Sequence, residues 1–259
     1  MNKLHGVTTY VALVLFLSLF SSKVQADVSV ESSIESRLYL MFQAEDSVLQ
    51  GLLPEPWRVN AVSSGPSKGA NLSVIFIQTF VCDTPEGKPS PSGGTARYVV
   101  LTVQAKNAQT GEESTFVTRI YTTDPNRVPG HYMNAVKADI RREFSSKAEN
   151  GELGTGSDSW EMKDASGGII KVRADYNHTA LNHVKWERII RTNAAPDLAF
   201  IYRVDQSSEL LKSSVTGGDL LTNYNFLSSV SEHSGYLNDK LKLVSVTEIP
   251  SFSVHLTRP

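Results

Sequence analysis

A lysine beside a row of apolar residues is the group in this chain best suited to covalent chemistry. Met133, Val136, Ile140 and Phe144 recur at helical spacing. At about 100° per residue they share one sector of a helix, which the pattern predicts from His131 to roughly Lys147. Lys137 falls at the edge of that stripe. Desolvation at an apolar face favours the neutral amine, and a neutral amine is the nucleophile that forms a Schiff base with a carbonyl substrate. The same position equally suits a lysine that lays its methylenes on apolar surface and lifts its charge into water. Arg119 offers a cation that can orient a substrate carboxylate. The Pro129-Gly130 turn between the two makes their elements neighbours. Tyr121, Tyr132 and Trp160 are the aromatic residues expected to wall a substrate pocket around them, with Trp57, Trp186 and Tyr176 as further apolar surface.

Other constellations carry less. Asp158, Glu161, Asp164 and Asp175 flank expected turns and read as solvated carboxylates. His131, His178, His183, His233 and His255 show no HExxH or related spacing, and Cys82 is the single cysteine. No zinc-type ligand set can be assembled from them, and no internal disulfide can form. Cys82 follows Phe80-Val81 and reads as a buried thiol. There is no G-x-S-x-G elbow, no phosphate-cradling glycine loop and no dinucleotide fingerprint. The expectation is therefore a chain without metal or cofactor.

The first 26 residues set the expected location. Lys3 is followed by the apolar run Val11 to Phe20, then by Val24-Gln25-Ala26, which has the small residues of a cleavage site. This is the layout of a secretory signal peptide removed before Asp27. The run is shorter than the roughly 20 residues needed to span a bilayer. A secreted or periplasmic protein without a stable transmembrane anchor is expected. Removing the leader, which holds two lysines and no acid, takes the formal charge from −2 to −4. Neutralising phosphates needs a basic surface, so nucleic acid is not the expected partner; a small-molecule ligand is.

The elements that must position these residues follow from periodicity. Ser32 and Glu35 are spaced as a capping box, and Ile34, Leu38, Met41, Val48 and Leu52 recur at near-helical intervals, predicting a first helix that ends before Pro54. Three strands are predicted from β-branched and aromatic content: Leu72 to Val81, Ala96 to Ala105 and Ser114 to Thr122, the last two joined at Thr110-Gly111. A hairpin is expected from Trp160–Met162 and Gly168–Tyr176, then strands at Val184–Arg191 and Leu198–Val204, a helix near Gly218 to Val230, and strands at Leu241–Ile249 and Ser251–Leu256. No repeat or linker divides residues 27–259, which read as one α+β domain.

The run Thr115-Phe116-Val117-Thr118-Arg119-Ile120-Tyr121, the loop Asn126 to Gly130, and His131-Tyr132-Met133-Asn134-Ala135-Val136-Lys137 together resemble the central region of the acetoacetate decarboxylase-like superfamily. Leu53-Pro54, Trp160 and the Gly167–Val172 strand occur in a compatible order. The resemblance covers about half of residues 27–259. It implies an α+β fold with a large antiparallel sheet or barrel and flanking helices, and a Schiff-base lysine, here Lys137. The family's enzymes carry adjacent lysines; this chain has Val136-Lys137-Ala138. The neighbouring cation that would depress the amine pKa is missing, which favours an exported, noncatalytic binder of a small organic or lipid-like ligand in an apolar pocket. The alternative is a lyase that uses Lys137 as nucleophile and Arg119 as carboxylate anchor.

Overall fold

The computed structural model describes residues 27–90, 95–125, 128, 135–149 and 152–259. Residues 1–26, Pro129, Gly130, Tyr132 and Met133, which carry several of the expectations above, lie outside them. Regular structure among the described residues is almost entirely strand: β1 (Val28–Gln43), β2 (Trp57–Val59), β3 (Leu72–Asp83), β4 (Ala96–Asn107), β5 (Glu113–Thr122), β6 (Ala135–Glu149), β7 (Glu152–Asp164), β8 (Ile169–Asn177), β9 (Asn182–Thr192), β10 (Ala195–Ser213), β11 (Leu221–Ser228) and β12 (Lys242–Arg258). The α-helix α1 covers Asp46–Gln50, and a 3₁₀ turn covers Ser231–His233.

Seven strands close into a barrel. Their order is β5-β9-β10-β12-β1-β3-β4, and β4 returns to pair with β5. β5 then forks. Thr115–Val117 run parallel to β9, whereas Ile120–Thr122 run parallel to β6. From that fork β6, β7, β8 and β11 form an antiparallel sheet that lies against the outside of the barrel.

Alternation along the strands builds two cores. On β1, Leu38, Leu40 and Phe42 face the outer sheet, and Arg37, Tyr39 and Met41 face the barrel interior. The outer core packs Phe76 against Trp160, ring centroids 5.7 Å apart, with Met162, Ile170 and Val172 around them. It also buries charge. Arg142 forks onto Asp158 (Nε–Oδ1 3.0 Å, Nη2–Oδ2 2.9 Å) and donates to Ser36 Oγ. Glu248 Oε1 sits 3.6 Å from the same guanidinium. One cation thus serves two buried carboxyls, and burial together with Asp158 pushes Glu248 well above the usual carboxylate range.

The predicted strands at Leu72, Ala96 and Ser114 and the Trp160–Tyr176 hairpin are present. The tight connection at Thr110-Gly111 is present as well. Gly111, at φ 76°, donates to Asn107 O at 2.9 Å. The three long predicted helices are corrected. The first is β1 followed by the five-residue α1. Ser32 and Glu35 do not cap it; Ser33 Oγ donates to Glu35, and Ser32 bonds His255 across the sheet. Residues 135–149 are β6, and Gly218–Val230 holds β11. The two expected C-terminal strands are the single strand β12. The sheet is therefore mixed rather than purely antiparallel, and the flanking helices are absent among the described residues. No described helix is long and apolar enough to cross a membrane.

Candidate functional site

The barrel is hollow. Inward-facing residues of β1, β3, β4, β5, β9, β10 and β12 line a chamber of about 380 Å³ that opens to the outside, with Val62, Ser64 and Pro66 at its rim. Ile75, Ile77, Val100, Val117, Val254 and Leu256 give it an aliphatic wall, and Trp186 and Tyr202 add aromatic surface. Cross-strand register orders the chamber from end to end. Arg37 pairs with Ile77 and Ile77 with Tyr98, forming one tier. Met41, Ser73 and Thr102 form another, farther along the same strands.

The Arg37 tier is charged. Glu35 and Arg37, both buried, are joined by Arg37 Nη2–Glu35 Oε2 at 2.6 Å and Nε–Oε2 at 2.7 Å. Ser33 Oγ donates to Glu35 Oε1 at 2.7 Å, and the guanidinium lies 3.6 Å above the Phe252 ring. The pair is held on two sides before any ligand arrives. Burial, with Glu35 second, raises the Tyr98 hydroxyl, so it stays a neutral donor. At the other end a polar cleft of about 490 Å³ adjoins the chamber and shares Val62, Ser64, Thr115 and Arg188 with it.

Of the residues expected from sequence to form a site, the four that are described lie elsewhere. Lys137 is exposed on β6, opposite Thr122. Its neighbours Val136 and Ala138 turn to the outer core, so Lys137 turns away from it. Trp160 is fully buried in the outer core, beneath Arg142 at 4.8 Å. Arg119 and Tyr121 are brought together: Arg119 Nη2 meets Glu232 Oε2 at 2.7 Å, and Tyr121 Oη meets Glu232 Oε1 at 2.7 Å. Neither lines the chamber. Lys137 and Arg119 thus belong to neighbouring strands without converging on one cavity.

The Arg119–Tyr121 pair opens a hydrogen-bond chain instead. Tyr121 Oη also meets His233 Nε2 at 2.6 Å, and His233 Nδ1 meets Tyr236 Oη at 2.6 Å. Tyr121 has one proton, and the Glu232 carboxylate can only accept. Tyr121 therefore donates to Glu232 and accepts from His233 Nε2–H, which leaves Nδ1 to accept from Tyr236. Burial lowers the His233 pKa to about 4, consistent with a neutral ring. This chain fastens the 3₁₀ turn onto β5; none of its residues lines the chamber or the polar cleft.

Sequence reasoning missed the charged tier. The available signal was Glu31-Ser33-Glu35-Arg37-Tyr39, polar or amphipathic residues at every second position. That is strand spacing with one polar-lined face. A helix assignment over the same residues hides it. Among the described residues, none that lines the chamber is a lysine, and no His, Cys, Asp and Glu grouping suits a metal.

No protein-family model matches the chain, and no curated protein matches it in sequence. Solved structures do match in fold. An acetoacetate decarboxylase-like enzyme from Sphingomonas wittichii RW1 aligns with a TM-score of 0.57 at 12% identity, over 90% of this chain and 94% of that one. The enduracididine biosynthesis enzyme MppR, complexed with the condensation product of pyruvate and imidazole 4-carboxaldehyde, aligns at 0.56 and 7% identity, over 92% and 90%. Acetoacetate decarboxylase from Legionella pneumophila subsp. pneumophila aligns at 0.53 and 13% identity, over 100% and 96%. The chain has the acetoacetate decarboxylase-like fold, at a sequence distance where fold is what the likeness shows.

Proposed function

We propose that the barrel chamber is the functional site and that it holds a small organic molecule with a mainly apolar body. The hollow itself carries this reading: about 380 Å³ inside a closed ring of strands, within the ~300–1,000 Å³ usual for small-molecule pockets. Aliphatic walls take the body, and a few polar groups at the ends fix its direction. The solved structures that share the fold are described as enzymes. They therefore support catalysis more than a noncatalytic carrier.

A lyase acting through a Schiff base is accordingly the second reading. It requires an amine in the chamber, and Lys137 lies exposed on the outer sheet instead. Borohydride trapping with acetoacetate, read by peptide mass spectrometry, separates the two. The first reading expects saturable displacement of a neutral apolar dye by small organic ligands and no adduct. A substrate-dependent adduct on Lys137, absent from Lys137→Ala protein, establishes amine catalysis and overturns it. The proposal extends to export with cleavage before Asp27, leaving one domain over 27–259. The tripartite leader pattern supports it, and the intact mass of protein recovered from the native host tests it. The negative charge of that domain supports a small-molecule rather than a nucleic-acid partner.

A further inference from the structure

Outside the chamber, three side chains far apart in sequence meet in the order serine, histidine, carboxylate. Ser146 lies near the end of β6, His178 just past the end of β8, and Glu209 on the barrel strand β10. His178 Nε2 is 2.9 Å from Ser146 Oγ, and its Nδ1 is 2.8 Å from Glu209 Oε1. The other Glu209 oxygen accepts the Thr179 backbone N–H at 2.8 Å. Proton counting fixes the directions. An ionised carboxylate only accepts, so Nδ1 carries the proton of the neutral ring and donates to Glu209. Nε2 is then the bare nitrogen, and the Ser146 hydroxyl donates to it. A histidine held in this tautomer by a carboxylate is the general base that activates a serine hydroxyl.

Burial is graded in the same order. Ser146 is exposed, His178 is partly buried and Glu209 is buried. The nucleophile is open to a substrate while the carboxylate is shielded from water. The His178 ring is fixed further by the Tyr176 ring, which meets it edge-on with centroids 5.2 Å apart. Its backbone N–H donates to Gly154 O at 3.0 Å. Glu248, opposite Glu209 on β12, and the Arg142–Asp158 pair are the charged groups packed behind this assembly. Apolar surface adjoins the serine. Phe144, two residues earlier on the same face of β6, is a large exposed apolar side chain. Leu153, just before Gly154, and Leu181, in the loop that carries His178, are exposed as well.

We propose that Ser146, His178 and Glu209 form a second site, an esterase relay that passes the acyl group of small apolar carboxylic esters to Ser146 and then to water. The inference stands independently of the chamber reading. Ser146 Oγ bonds the ester carbonyl carbon as its proton passes to His178 Nε2. The bond from that carbon to the leaving oxygen breaks, and the leaving oxygen takes the proton. Water repeats the sequence on the acyl-serine and releases the carboxylic acid. Ser146 and His178 are the catalytic residues, Glu209 is a positioning residue, and Phe144 supplies the surface for the acyl chain.

Labelling of the full chain with diisopropyl fluorophosphate, read by peptide mass spectrometry, and hydrolysis of p-nitrophenyl butyrate test this. The adduct is expected on Ser146. Ser146→Ala, at an exposed position, should abolish the adduct and lower hydrolysis about 100-fold, and His178→Gln should slow both by about as much. Phe144→Ala should raise KM and leave kcat little changed. Glu209→Gln should slow labelling about ten-fold or more and move its pH profile to lower pH, because the imidazolium loses its counter-charge. Glu209→Asp should restore part of the rate. No adduct on Ser146, an adduct formed as fast in His178→Gln, or hydrolysis unchanged in Ser146→Ala overturns the relay and leaves the chamber reading in place.

Discussion

The outer face of the barrel and its inner face are lined by the same strands, yet one is filled and the other is hollow. Leu38, Leu40, Phe76 and Leu101 look outward and are met by Trp160, Met162, Ile170 and Val172 of the covering sheet. Tyr39, Ile75 and Val100 look inward across about 380 Å³ of open space. Side-chain size contributes to this difference. The covering sheet brings a tryptophan and a tyrosine to the centre of its contact, whereas the inner faces of β3 and β5 present mainly valine and isoleucine. Packing supplies stability where space is filled, and binding capacity remains where it is not. The aromatic residues that looked like a pocket in the sequence, Tyr121 and Trp160, belong to the filled side.

That contrast can be broken at several points. The largest effect is expected for Trp160→Ala, which opens a cavity in the filled layer and should cost about 3–5 kcal/mol. Val100→Ala, facing the chamber, should cost no more than about 1 kcal/mol, because the space beside it is already open. Urea unfolding of both variants checks this, and equal costs would erase the distinction between the two cores. Next is Gly156→Ala. Gly156 lies opposite Tyr176, and an added Cβ would stand 2.4 Å from the ring. Overpacking there should cost about 1–3 kcal/mol.

A third prediction concerns pH. His233 has its pKa lowered to about 4 by burial, against 6.5 when exposed. Its neutral form favours folding fully above 6.5. That contribution falls as pH drops through the window from 6.5 to about 4, by on the order of 3 kcal/mol. Glu248 acts in the opposite sense. Its pKa is raised, so its contribution is complete below the ordinary carboxylate value and is lost as pH rises. Thermal unfolding should therefore show greatest stability in mildly acidic solution. Glu248→Gln should raise Tm at pH 8 and leave it little changed at pH 4.5, and the absence of that difference would remove the buried carboxyl from the account. The smallest effect is expected for Lys137→Ala, within about 0.5 kcal/mol, as for surface positions free of special contacts.

Strands dense in β-branched residues were legible. β3, β4, β5 and the β7–β8 hairpin follow directly from their sequences because such residues suit a pleated surface. The errors have one physical source. Val136, Ile140 and Phe144 recur every four residues, which is close to one helical turn and is also an even number. The same side chains share a face in either conformation. In β1 both faces are buried, so Leu38 to Phe42 is a continuous apolar run with its period concealed. Arg119 and Tyr121, at i, i+2 on β5, share one strand face. Glu232, which joins them, stands 113 and 111 residues away, beyond any local pattern.

The ring closes late in the order of synthesis. β1 begins at Val28 and its partner β12 ends at Arg258, with Val28 opposite Arg258 in the register. β12 also pairs with β10 along its length. A chain emerging from the ribosome thus holds β1 paired only with β3 until β12 is free. Only then is the outermost loop closure made, and contacts of such sequence separation are slow to form. Until that moment the edge of β1 is open to other extended chains. The edge of β1 that β12 covers is therefore the place where this fold is open to strand addition until β12 pairs.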